Sequence, residues 1–233
     1  MRLIALAQAQ LQDVVRNAVF AFFAGILPVM GLIMRWTMPE SVQPILLTML
    51  LLMAAYFVGW NLPSFTLAEE KEKRQLEALF LTPVRPWQVV LVKGGLGIVG
   101  SLAFGLLMFP ILGTVPQRPL LWLLSYTVLT LFTVGVGTLV GLLVKDTRTL
   151  GVGGTPVVLL LIFATTLPWA LMQPGVWSVQ AWLPTRPAVE LIAAGITGEA
   201  VPVARNLLVM LGYVTLLWLL NARLIRRLSF VRH

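Results

Sequence analysis

The chain has 233 residues, 58% of them hydrophobic and only 11% charged, against roughly a quarter charged in soluble globular domains. That balance excludes an ordinary water-soluble fold, and apolar residues spread along the whole length leave no room for a second soluble domain of ~100 residues, so residues 1–233 are expected to form a single transmembrane domain. The formal net charge of +8 lies in short gaps between apolar stretches, which argues for membrane topology and against a nucleic-acid partner.

Residues 1–16 place Leu3, Leu6, Ala7, Gln10, Leu11 and Val14 on one stripe, the pattern of an amphipathic helix lying along the inner membrane surface. A small-residue cleavage site is missing before the next polar stretch, so the first span is expected to remain in the mature protein. A helix needs about 20 apolar residues to cross ~30 Å of hydrocarbon. Six such runs are predicted, near 18–36, 44–67, 88–112, 120–144, 151–171 and 205–222.

With both termini inside, thirteen lysines and arginines fall on the inner side and four on the outer, at Arg35, Arg118, Arg186 and Arg205. Cytoplasmic loops retain positive charge, so an N-in, C-in orientation is expected. Trp36, Trp122, Trp169, Trp177 and Trp182 then fall at the outer interface, where indoles are enriched.

Between the second and third spans, residues 69–87 carry mixed charges followed by Leu76, Leu79 and Phe80 at helical spacing, which predicts a short amphipathic cytoplasmic helix. Thr82 and Pro83 read as an N-cap and first-turn proline restarting the chain as the third span. The outer segment 172–204 is apolar but broken by Pro174, Pro184, Pro187, Gly195, Gly198 and Pro202. Broken, re-entrant helices entering the outer leaflet are expected there.

The sequence offers no paired carboxylates, metal-ligand cluster or nucleophile with a base; its one histidine is the last residue, His233, and it has no cysteine. Neither a metal nor a resident cofactor is expected, and a phosphate-binding Gly-x-x-x-x-Gly-Lys-[Ser/Thr] loop is absent. Lys93, a turn or two beyond Trp87, is expected to snorkel to the inner headgroups, the alternative being a contact with substrate or lipid phosphate. Asn61, Ser64, Thr66, Thr165 and Thr166 could line a polar path, with interhelical hydrogen bonding as the simpler use. The glycines of the third and fourth spans read as close-packing positions.

The run 70–84, EKEKRQLEALFLTPV, resembles the cytoplasmic motif of the ABC type-2 transporter permeases, Glu-x-Glu-x-Gly-Thr-Leu-Glu-x-Leu-x-x-Thr-Pro-Val. Glu70, Glu72, Leu76, Glu77, Leu79, Thr82, Pro83 and Val84 match in register; Arg74 and Gln75 stand where the pattern has Gly-Thr. Lys93 stands where that family often has a lysine, and Pro168 and Trp169, then Trp182, Leu183, Pro184, Pro187 and Glu190, are similar to its outer re-entrant segment. The resemblance implies an ABC exporter subunit in a bacterial or archaeal inner membrane, itself not an enzyme. Glu70, Glu72, Leu76, Glu77, Leu79, Phe80, Leu81, Thr82 and Pro83 would couple it to a cytoplasmic ATPase present in two copies. Lys145, Asp146, Thr147 and Arg148 would add a secondary contact. ATP and Mg would be bound by the partner, and a second permease subunit, by default an identical chain, would complete the path for a drug, antibiotic, lipid-linked or other amphipathic cargo. The alternatives are a haem-exporter permease of cytochrome c maturation, an ATP-independent carrier, or a structural membrane subunit.

Overall fold

The computed structural model describes residues 8, 10–12, 18–75, 86–166 and 182–230, and every regular element among them is helical. Helix α1 is Ala18–Thr37. A short 3-10 turn leads into α2, Gln43–Ala54, which continues through a wide π turn, Ala55–Trp60, into α3, Asn61–Glu72. Then come α4, Pro86–Leu112, and α5, Pro119–Leu143. One helical turn at Thr147–Thr149 and a π turn at Leu150–Gly154 open α6, Thr155–Thr166, and α7, Thr185–Thr197, and α8, Val203–Phe230, complete the described chain.

Each of the six runs picked out by hydropathy contains a helix. Four stretches are long and apolar enough to cross a membrane, Glu40–Glu72, Trp87–Leu112, Pro119–Leu143 and Val203–Arg226, while Gly25–Thr37 and Thr147–Leu161 are shorter apolar helices. The first of these is 33 residues, about 50 Å at 1.5 Å per residue, so it outruns the hydrocarbon and carries its charged end into the headgroup region.

The π turn inside it has a local cause. Pro63 withholds a backbone donor and its ring crowds the carbonyl four residues back, at Gly59; the wide turn just upstream accommodates that mismatch without ending the helix. The Asn61 N–H resumes bonding there, to the carbonyls of Phe57 and Val58.

Helix α5 is the hub, packed by the π turn Ala55–Trp60 and by α3, α4, α7 and α8. Lipid tails are as apolar as leucine, so helices in a bilayer gain little from burying leucine and associate through close van der Waals contact instead. That explains the glycines: a Cβ on Gly141 would lie 2.9 Å from Ser64 Cα, and one on Gly137 would meet the Trp60 backbone, 2.9 Å from its Cα. Gly97 and Gly100 bring α4 equally close to Val134 and Val58, at 3.0 and 3.1 Å.

Helix α7 spans about 20 Å at 1.5 Å per residue, too short to cross. It buries Ala188, Leu191, Ile192, Ala194 and Ile196 against α5, α8 and α2, and ends at Gly198, whose φ of 77° is the left-handed C-cap conformation. Gly195 of this helix lies on the Trp122 backbone, where a Cβ would come 2.8 Å from the Trp122 nitrogen. Trp122 therefore does not sit at a lipid interface as the sequence suggested. It is 3% exposed, stacked on Tyr126 with ring centroids 5.5 Å apart and edge-on to Phe109 at 4.6 Å. Trp36 and Trp182 are exposed, at 86% and 65%; Trp169 and Trp177 lie outside the described residues.

Candidate coupling site

The motif begins on the last turns of α3. Lys73 N–H donates to the Glu69 carbonyl at 2.9 Å and Arg74 N–H to that of Lys71 at 3.0 Å. Arg74 then adopts φ 54°, the one left-handed non-glycine among the described residues. The position just past a helix C-cap favours left-handed backbone, which glycine adopts at no steric cost. It is also the position at which the family pattern carries glycine.

The two charged residues before it reach sideways to the next loop at the same end of the bundle. The Lys71 ammonium donates to the carbonyls of Gly141, Leu142 and Val144, at 3.0, 2.6 and 2.9 Å. These are among the carbonyls that a helix end leaves without intrahelical partners, and a cation there also meets the negative end of the α5 dipole. One residue on, the Glu72 carboxylate accepts from Thr147 twice, from the backbone N–H at 3.1 Å and the hydroxyl at 2.5 Å. Thr147 opens the helical turn leading to α6, so an anion faces unsatisfied N–H groups. Asp146 caps that same turn, accepting from Thr149 N–H at 2.6 Å. The Thr149 backbone N–H, then its side chain, hold the Asp146 carboxyl below the usual carboxylate range.

The structure thus brings Glu72 together with Asp146 and Thr147. Lys145 and Arg148 flank that contact with exposed side chains. Leu76, Glu77, Leu79, Phe80, Leu81, Thr82 and Pro83 lie outside the described residues, as do Pro168 and Trp169.

Glu70 differs from what the resemblance implied. It faces inward, 9% exposed, and its Oε1 accepts from Gln10 Nε2 at 2.8 Å and lies 3.0 Å from Lys93 Nζ. Lys93 Nζ also donates to Gln10 Oε1 at 2.9 Å. The carboxylate is engaged inside the bundle and is not offered to a docking partner. Lys93 is corrected with it: at 1% exposure its ammonium does not reach outward to headgroups, because an ion pair on the neighbouring helix satisfies it more closely. Gln10, placed by periodicity on an apolar stripe, is the amide completing this buried set.

Ser64 and Thr66 are buried and donate to carbonyls one turn back in their own helix, Trp60 at 2.8 Å and Leu62 at 2.6 Å. A hydroxyl in an apolar helix has that carbonyl within reach at no cost in packing. Asn61 is half-buried. Thr165 and Thr166 lie in α6, their side chains outside the described set.

At the opposite end, Trp182 and Leu183 are exposed, Pro184 precedes α7 and Pro187 is buried in its first turn. Glu190 accepts from Arg186 Nε and from Asn206 Nδ2, both at 2.7 Å, with Arg205 Nη2 at 3.8 Å. Asn206 is fully buried, so this carboxylate holds α7 to the start of α8. Arg35 plays a part at this end like that of Lys71 at the other, donating to the carbonyls of Pro110 and Ile111 at 3.3 and 3.0 Å.

Lys71 and Gln10 were not legible as site residues. Lys71 sits in a run of mixed charges where any residue could be solvated; the polar interruption at Gln10 was the only available signal for its part.

Long apolar helices packed through glycine, with most charged groups near their ends and a short non-crossing helix at one end, point to a multi-pass membrane protein. A family model described as ABC-2 family transporter protein matches residues 37–223. The chain belongs to that family, as a permease of an ABC-2 transporter. No curated protein matches it.

Proposed function

We propose that the chain is the membrane half of an exporter driven by a separate ATPase, with segment 76–85 as the element through which that ATPase acts. Six spans with both termini in the cytoplasm, two copies of the chain around one path, two ATPase subunits carrying ATP and Mg, and a bacterial or archaeal inner membrane complete the reading. Leu76, Leu79, Phe80 and Leu81 form the apolar ridge that docks, and the flanking charges orient it.

The observation that supports this reading most is the clamp at the base of the segment. Lys71 and Glu72 tie its first flank to the end of α5 and the start of the α6 turn. A load applied to 76–85 would reach three helices through short charge-assisted bonds, not through a free loop.

Co-purification from the native membrane tests it. A tagged chain brings down an ATPase subunit, and Glu77→Ala or Phe80→Ala lowers the amount recovered or uncouples ATP hydrolysis from transport. Transport at the full rate by the chain alone in liposomes without ATP would refute the proposal in favour of an autonomous carrier.

A further inference from the structure

We infer that Gln10, Glu70 and Lys93 form a latch fixing the N-terminal helix, described at residues 10–12, to the base of the 76–85 segment, so that a displacement of that segment carries those residues with it. The transmission part rests on the proposed function; the latch itself does not.

The three residues come from separate parts of the chain, Gln10 lying 60 positions from Glu70 and 83 from Lys93, and close a ring. Glu70 lies on the last turns of α3 and Lys93 on the first turns of α4, so their 3.0 Å ion pair closes the base of the segment between the two helices. The Gln10 amide spans both charges, donating through nitrogen to Glu70 and accepting through oxygen from Lys93. A carboxamide offers a donor and an acceptor side by side whatever the pH, which suits it to span a carboxylate and an ammonium. Without Gln10, the α3–α4 pair would persist while the N-terminal helix lost its polar tie.

Stability alone accounts poorly for this arrangement. Burying two charges is expensive, and apolar pairs of similar volume commonly match or exceed a buried ion pair in stability. Glu70 places both of these bonds on one oxygen, Oε1. What the set supplies is register: three elements can meet in one alignment only, which is the best-attested use of buried polar groups.

The chain has no cysteine, so Gln12→Cys and Lys73→Cys, both at exposed positions, place spin labels on the N-terminal helix and at the segment's entry in the full-length protein in lipid. Electron–electron distance measurements give the spread of separations. The unmodified triad gives one narrow distribution. Gln10→Ala broadens it, as does the apolar double substitution Glu70→Leu with Lys93→Met, which leaves thermal stability unchanged or raised. The exchanged pair Glu70→Lys with Lys93→Glu restores the narrow distribution, because the Gln10 amide can turn over to serve reversed charges. Equal widths in all four proteins would overturn the latch, as would failure of the exchange to restore it.

With the co-purified ATPase present, adding ATP shifts the Gln12 label in the unmodified protein, and the shift falls several-fold in Gln10→Ala while recovery of the ATPase stays the same. An undiminished shift overturns the transmission. If no ATPase is recovered from any protein, the functional reading fails, and the widths still decide the latch.

Discussion

Arg74 stands in left-handed backbone at φ 54°, where the family pattern has glycine, so Arg74→Gly is a substitution whose sign can be worked out. Holding a side chain in left-handed conformation costs about 1–2 kcal/mol. Glycine avoids that but loses about 0.5–1 kcal/mol through its greater freedom in the unfolded chain. The side chain is exposed and the Arg74 N–H bond to Lys71 is a backbone bond that glycine keeps, so little else enters. The net gain is about 1 kcal/mol, or about 2–4 °C in a chain of this size. Thermal unfolding in detergent, followed by the fluorescence of the eight tryptophans, measures it. Lys73→Gly is the control: its φ of −82° suits any residue, so glycine there relieves no strain, adds unfolded-state entropy, removes the exposed ion pair to Glu69 and lowers the midpoint. Arg74→Gly leaving the midpoint unchanged or lowered, in step with Lys73→Gly, would refute the reasoning.

Lys71→Met removes three bonds to the end of α5 and the cation at its dipole, about 1–2 kcal/mol at a half-buried helix terminus; amide exchange across 145–149 should rise about 5- to 30-fold, with Lys71→Arg in between. Gly137→Ala drives a methyl into the Trp60 backbone and should cost about 1–3 kcal/mol as overpacking, read as a lowered unfolding midpoint. Gly212→Ala, on α8 with nothing within 4 Å, should instead be neutral or stabilising by up to about 1 kcal/mol through helix propensity. The Asp146 cap has a depressed folded-state pKa, so its contribution is present above the unfolded value of about 3.9 and lost as pH falls through the folded one. The midpoint difference between wild type and Asp146→Ala should be full at neutral pH, begin to shrink as pH falls below about 4 and vanish only below the depressed folded value, and a difference independent of pH would contradict the capping role.

Hydropathy located the helices because a run of apolar residues bounded by charges or proline has one use in a chain with so few charges. It could not say which apolar surface meets lipid and which meets protein, since both exclude water equally. Trp36 and Trp122 look alike in sequence; what separates them is Gly195, whose missing side chain lets α7 lie on the Trp122 backbone. Lys93 was misread for a related reason. Its distance from the helix start fits snorkelling, and the partners that hold it inside are 23 and 83 positions away, a separation no periodicity reports. The Glu72 contact with Thr147 was half legible: both residues were singled out, at the same end of the bundle, but nothing in either segment encodes their pairing.

Trp60 shows how a load at the motif end would travel further. Its backbone lies against Gly137 of α5, and its ring reaches Gly154, where a Cβ would come 3.5 Å from Trp60 Cζ2. Each of these neighbours is a glycine, so the tryptophan fits between α5 and the entry to α6. Trp60 and Gly154 also end the two π turns, Ala55–Trp60 and Leu150–Gly154, where the helices are wider and their hydrogen bonding is irregular, the type of site at which helices bend. A bundle clamped at Lys71 and Glu72 and pinched again at Trp60 would move α3 and α5 together between those two points, and would turn at the paired π turns above them. On the proposed function, the half nearest segment 76–85 would then be the stiff part, which is where a transmitted displacement must not be lost.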